Sequence, residues 1–211
     1  MADLPTIDPD RDLLLVVDVQ HDFCPGGALA VADGDAVVPA IARLMPRFEH
    51  VAFTQDWHPP DHRSFASAHP GGAPFSSVPF PYGEQTLWPD HCVQGTHGAA
   101  FHEGLDLHRA ELILRKGFRR EIDSYSAFFE NDRATPTGLG SYLRERGFRH
   151  VVLCGLATDF CVAFSAIDAR RLGFEATVLL GASRAIDLAG SLDEAVSRMR
   201  EAGVALIEGV R

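Results

Sequence analysis

The chain is short of basic charge: 19 Lys and Arg stand against 29 Asp and Glu, giving a formal net charge of −10 over 211 residues. A surface of that sign repels phosphate backbones, which excludes nucleic acid as a partner. No apolar run approaches the roughly 20 residues needed to cross a bilayer. The N-terminal MADLPTIDPDRD also has acidic residues where a secretory leader needs basic and then apolar ones. No membrane partner is expected, and a cytoplasmic location follows. The four cysteines, Cys24, Cys92, Cys154 and Cys161, contain no CxxC pair. A structural zinc knuckle is thereby disfavoured, and a reducing compartment leaves the thiols free. There is no Pro-, Gly- or Ser-rich linker, no internal repeat and no low-complexity tract, so residues 1–211 are expected to form a single domain.

With 46% hydrophobic residues the chain can build a sizeable core. The apolar runs at 12–17, 50–54, 111–115, 149–154, 175–180 and 204–208 are short and rich in Val, Leu and Ile. They read as strands buried on both faces. Helical patterns lie between several of them, at 36–48, 137–146, 158–172 and 191–202. Gly147, Gly173 and Gly203 sit just past three of these, where C-terminal caps belong. The alternation predicts an α/β fold: a three-layer, doubly wound, mostly parallel six-stranded sheet with helices on both faces. Residues 55–101 break the rhythm. They carry little periodicity and five histidines, His58, His62, His69, His91 and His97, and so read as a functional insertion.

Four of the apolar runs end on or near reactive side chains: Asp18, Asp56, Lys116 and Cys161. In a parallel sheet these would gather along the carboxyl edge, where such folds place their ligands. Cys161 follows a strand and a turn in LCGLATDFCV, with Thr158 or Asp159 available to cap the next helix. A cysteine in the first helical turn meets free N–H groups and the positive end of the dipole, which favours a thiolate. Buried alone, the same cysteine would be a small apolar residue. Asp18 and Lys116 each have a bland reading too, as a loop cap and as a snorkelling surface lysine. A base, a cation and a nucleophile on one edge are better explained together.

Asp56 and His58, two apart after a strand, can point the same way in extended backbone. A carboxylate with a neutral imidazole suits Zn²⁺, Fe²⁺ or Mn²⁺. His62, His91 and His97 are the candidates for a third ligand.

The blocks DVQHDFCPGGALAV, TQDWHPPDHRSFAS, LWPDHCVQGTHGAAFH, KGFRREIDSYSAFFEND and GLATDFCVAFSAIDARRLG, in that order, resemble the nicotinamidases of the isochorismatase-like hydrolase superfamily. The resemblance implies an amidohydrolase that converts nicotinamide to nicotinate and ammonia through a cysteine thioester, feeding NAD salvage, with pyrazinamide a usual second substrate. It implies a catalytic triad at Asp18, Lys116 and Cys161, and an oxyanion hole at the Ala157 and Cys161 amides beside a cis Leu156–Ala157 peptide. By the same resemblance Asp56, His58 and His91 hold one divalent metal, Zn²⁺ before Fe²⁺ or Mn²⁺. His62 falls where some members supply a further ligand, and His97 matches none. Phe23, Trp88 and Tyr125 fall on the lining of the pyridine pocket, Phe23 and Trp88 sandwiching the ring. The partner implied is the small molecule nicotinamide, and a homo-oligomer is compatible with the family. A different amidase of the superfamily is the nearest alternative, ahead of a non-catalytic ligand-binding homologue. An isochorismatase acts on a vinyl ether and needs neither the metal set nor this cysteine.

Overall fold

The computed structural model describes residues 6–209, so residues 1–5 of the acidic N-terminal stretch lie outside the described residues. Six parallel strands form the central sheet in the order β5-β2-β1-β6-β7-β8. They are β1 (Asp12–Val17), β2 (His50–Asp56), β5 (Ala110–Lys116), β6 (His150–Leu156), β7 (Glu175–Arg184) and β8 (Ala205–Ile207). A separate antiparallel hairpin, β3 (Ser77–Phe80) with β4 (Gly83–Thr86), lies inside the long insertion.

The strand sequence DLLLVV of β1 is wholly buried because it occupies the centre of the sheet. Leu14 and Val16 face one layer with Val37, Ile41 and Leu44 of α1 (Val37–Leu44). Leu13, Leu15 and Val17 face the other, with Leu139 and Leu143 of α2 (Leu139–Arg146), Ala166 of α3 (Ala163–Arg171) and Met199 of α4 (Ser191–Glu201). Each fully buried Leu or Ile adds roughly 1.5–3 kcal/mol to burial. Truncating Ile41, which sits at the α1–sheet contact, would cost about 2–5 kcal/mol.

The chain runs outward through β1, β2 and β5, then returns to β6 and runs the other way through β7 and β8. The order therefore reverses between β1 and β6, and the crevice at their carboxyl ends is the switch point where such sheets bind ligands. Asp18 follows the first of these strands and Cys161 follows the second after one turn.

Four local expectations are corrected. The edge strand β5 is not buried on both faces: its residues alternate, Ile113 is 44% exposed, and only Lys116 at its end is fully enclosed. The 158–172 segment is not one α-helix, because a π-helical turn (Thr158–Val162) precedes α3. Neither Thr158 nor Asp159 caps it. Asp159 instead accepts from the Ile186 and Asp187 N–H groups (3.0 and 2.7 Å) and from the Ser191 hydroxyl (2.5 Å), pinning the loop after β7 beside the turn that carries Cys161. β7 also runs on to Arg184, past the residue where its apolar run stops.

Candidate active site

Parallel register sets Asp56 beside Lys116 at the ends of β2 and β5. From β5 to β1 is two strand spacings, roughly 10 Å, which only a side chain as long as lysine spans. Lys116 is the chain's only lysine. Its Nζ lies 2.8 Å from Asp18 Oδ2 and donates to Asp56 Oδ1 (3.0 Å), Ser124 O (2.9 Å) and Cys161 Sγ (3.4 Å). Asp18 thus pairs with the ammonium through Oδ2, while Oδ1 accepts from the Thr54 hydroxyl at 2.6 Å. A carboxylate oxygen has two lone pairs, so one beside a thiol is still an acceptor for that thiol's proton.

Burial acts first on every member of this cluster. Asp18 is pushed up by burial, with Lys116 offsetting only part and Asp56 adding to the rise. Burial would depress Lys116, but Asp18, Asp56 and Cys161 hold its ammonium well above the ordinary lysine value. Burial also drives the Cys161 thiol well up, Lys116 lowers it in part, and the two carboxylates raise it again. Burial therefore favours the protonated sulfur, against the pull toward a thiolate expected at a helix end. The turn itself is fixed by the Val162 and Phe160 N–H groups, both bonded to Ala157 O (3.1 and 3.2 Å), and by the Ser165 hydroxyl on Cys161 O (2.6 Å). The Leu156–Ala157 peptide is cis.

The insertion is pinned at its neck. His58 N–H bonds Cys92 O (3.0 Å) and Gln94 N–H bonds His58 O (2.8 Å), which carries His91 back to His58 across more than thirty residues of sequence. Asp22 supports the return by accepting from Cys92 N–H at 2.7 Å. His58 Nδ1 is held by Gly117 O and His91 Nδ1 by Pro89 O, both at 2.8 Å, so both Nε2 atoms turn to Asp56 Oδ2, at 3.1 and 3.4 Å. Backbone carbonyls that fix the far nitrogen are how proteins aim imidazoles at a metal. Burial would raise Asp56, but His58 and Lys116 hold it well below the usual carboxylate range. Asp56, His58 and His91 form a buried donor set that fits a divalent cation.

His62 is not gathered with these three. Its Nδ1 meets Ser64 Oγ (2.7 Å) and its Nε2 meets Ile122 O (3.3 Å), and it clusters instead with His58 and Asp123. Burial and the neighbouring His58 push it down to about 4, so it is neutral at neutral pH. His97 is at the surface, stacked on His21 with ring centroids 4.0 Å apart.

Phe23, Trp88 and Tyr125 line one cavity with Asp56, His91, Ala157 and Cys161. Phe160 closes it edge-on to Trp88 (87°, 4.9 Å). The cavity is narrow, ≈ 20 Å³, room for about one water molecule. Thr54, Asp123, Leu29, Phe160 and Ile186 complete the surroundings without having stood out in the sequence. Of these only Phe160 has a local signal, its place beside Cys161 in TDFC.

A parallel sheet carrying a carboxylate, an ammonium and a thiol at its switch point, with an imidazole–carboxylate donor set alongside, defines a nucleophilic hydrolase architecture. The isochorismatase domain model matches residues 12–209, and the chain belongs to that family. It is 55% identical over 191 residues to the nicotinamidase of Acinetobacter baylyi, covering 90% of this chain and 89% of the relative. The structure of the Acinetobacter baumanii nicotinamidase pyrazinamidase superposes with a TM-score of 0.94 at 52% identity, covering 96% and 98% of the two chains. The pyrazinamidase of Pyrococcus horikoshii in complex with zinc superposes with a TM-score of 0.75 at 32% identity, covering 94% and 99%.

Proposed function

We propose that this protein is a nicotinamidase, hydrolysing nicotinamide to nicotinate and ammonia, with pyrazinamide as a second substrate. The observation that carries the reading is the single ammonium of Lys116 touching both the buried carboxylate of Asp18 and the sulfur of Cys161. The named relatives supply the substrate.

Asp18 takes the proton from Cys161 as the sulfur attacks the amide carbon, so no free thiolate need accumulate in the resting site. Lys116 stays charged and stabilises the sulfur while its own proton remains bound. The oxyanion is held by the Ala157 and Cys161 amides at the turn after β6. Asp18 then returns its proton to the departing ammonia, leaving a thioester between Cys161 and the acyl group. Asp18 next accepts a proton from the attacking water, and collapse of the second tetrahedral adduct releases nicotinate and the thiol. Phe23 and Trp88 hold the ring faces in the narrow cavity beside Cys161.

Asp56, His58 and His91 would hold the metal, zinc being the choice favoured by the zinc-bound Pyrococcus horikoshii relative. When bound, the ion supplies a Lewis acid for the pyridine nitrogen, which sets the amide next to the sulfur. Nicotinate produced in this way is a feedstock for pyridine-nucleotide salvage.

The test is ammonia release from nicotinamide by the purified protein and by Cys161→Ala. Equimolar ammonia and nicotinate from the first and none from the folded second are expected. Near-normal turnover by Cys161→Ala would sink the proposal.

A further inference from the structure

The hairpin in the insertion carries a side chain that belongs to none of the catalytic motifs. Gln85, on β4 opposite Val78, is buried. Its amide nitrogen faces three acceptors: Asp123 Oδ2 (3.0 Å), the Tyr125 hydroxyl oxygen (3.0 Å) and Thr86 O (2.7 Å). Its amide oxygen faces two donors, the Tyr82 hydroxyl (3.1 Å) and Asn131 Nδ2 (3.2 Å). Only one orientation satisfies this set. The reverse would press the carbonyl against a carboxylate and two nitrogen donors against each other.

The Tyr125 oxygen also accepts from the indole nitrogen of Trp88 at 3.1 Å, with the two rings 82° apart. Tyr125, Trp88 and Asp123 all line the cavity beside Cys161. One amide therefore ties the hairpin to an aromatic wall and to the carboxylate of the same pocket. A hairpin of two four-residue strands is marginal alone, and this buried amide is the member of β4 that is enclosed while its neighbours Gly83 and Glu84 are exposed. Among the described residues Gln85 makes no hydrogen bond to Asp18, Lys116 or Cys161.

We propose that Gln85 is a positioning residue for the ring pocket: it fixes the Tyr125–Trp88 wall and Asp123, and so sets the affinity for the aromatic amide rather than the rate of bond cleavage. The inference rests on the nicotinamidase reading. Gln85→Met keeps the length of the side chain but neither donates nor accepts strongly. It is expected to raise KM for nicotinamide about tenfold while kcat changes less than about threefold. Gln85→Glu adds a pH signature. Ionised, the introduced carboxyl loses the donor and faces the Asp123 carboxylate. Protonated, its O–H donates again. The KM ratio to the native enzyme should therefore shrink as pH falls from about 8 to about 5, whereas a loss of packing alone gives one ratio at every pH.

Should Gln85→Met fail to fold, as judged by circular dichroism, the pH series of Gln85→Glu decides alone. A native enzyme that releases ammonia alongside a Gln85→Met enzyme with KM within about twofold of it would overturn the inference. A KM ratio for Gln85→Glu that stays flat with pH would do the same. A native protein that releases no ammonia would instead refute the nicotinamidase reading.

Discussion

Replacing Asp18 with Asn removes the base while keeping its shape. Asn Oδ1 still accepts the Thr54 hydroxyl that now bonds Asp18 at 2.6 Å, so the end of β1 keeps its anchor. The other position changes character: the oxygen 2.8 Å from Lys116 Nζ becomes an NH₂ group, setting donor against donor. No atom is then placed to take the Cys161 proton. Loss of a positioned general base costs about 10²–10⁴-fold in rate, or roughly 3–5.5 kcal/mol of barrier. Here the resting sulfur is a thiol held well above its ordinary pKa, so the loss should fall toward the upper end, about 10³-fold or more in kcat. The assay is ammonia release coupled to reductive amination, with circular dichroism to confirm folding. Because base and nucleophile act as a unit, Asp18→Asn placed on Cys161→Ala should add almost nothing. A kcat within about tenfold of native, or losses that multiply in the double variant, would refute the assignment.

Lys116→Met takes the only ammonium away from buried Asp18 and leaves Asp56 to the imidazoles alone, and should lower unfolding free energy by about 3–5 kcal/mol at pH 7. A urea melt giving less than about 1 kcal/mol would argue against the ion-pair account. His91→Ala should lower bound divalent metal sharply, measured by elemental analysis after dialysis, and His62→Ala should lower it less because its nitrogens already serve Ser64 and Ile122. The reverse order would move the metal to the His58, His62 and Asp123 cluster. Glu130 is pushed up to about 7, chiefly by burial, which Arg119 only partly offsets, and its Oε2 has no hydrogen-bond partner. A carboxyl with a raised folded pKa favours the fold below its unfolded value of 4.5 and loses that contribution as pH rises through about 7. The melting-temperature advantage of Glu130→Gln over native should therefore grow between pH 5 and pH 8. An advantage that is constant or shrinks would contradict this.

The strands were legible because each is a short apolar run, and their reactive ends were legible because Asp18, Lys116 and Cys161 immediately follow such runs or the turn after one. Exposure of β5 was not: Leu112, Ile113 and Leu114 look as apolar as the centre of β1, and only strand order makes β5 an edge. The hairpin leaves a weak trace because SVPF and GEQT are only four residues each, with a Pro in one and a Gly in the other, while Gln85 of the second is buried by partners distant in sequence, Asp123 and Tyr125. His91 could be placed with His58 by resemblance, but the backbone bridges that bring them together are tertiary and leave no local trace. Asp159 was misread for a related reason. Its position suits a cap, yet donors from the loop after β7 compete for both oxygens. The raised pKa of Cys161 likewise comes from burial in the folded site first, and then from charges delivered by three other strands, Lys116, Asp18 and Asp56.

The central claim is covalent chemistry at Cys161, and intact-protein mass spectrometry with peptide mapping after acid quench during nicotinamide turnover addresses it most directly. A nicotinoyl thioester confined to the Cys161 peptide, absent in Cys161→Ala and accumulating when the water-driven second step is slowed, is the expected result. Turnover at full rate with no acyl adduct on Cys161 under any quench, or an adduct on Cys24, Cys92 or Cys154 instead, would contradict the account.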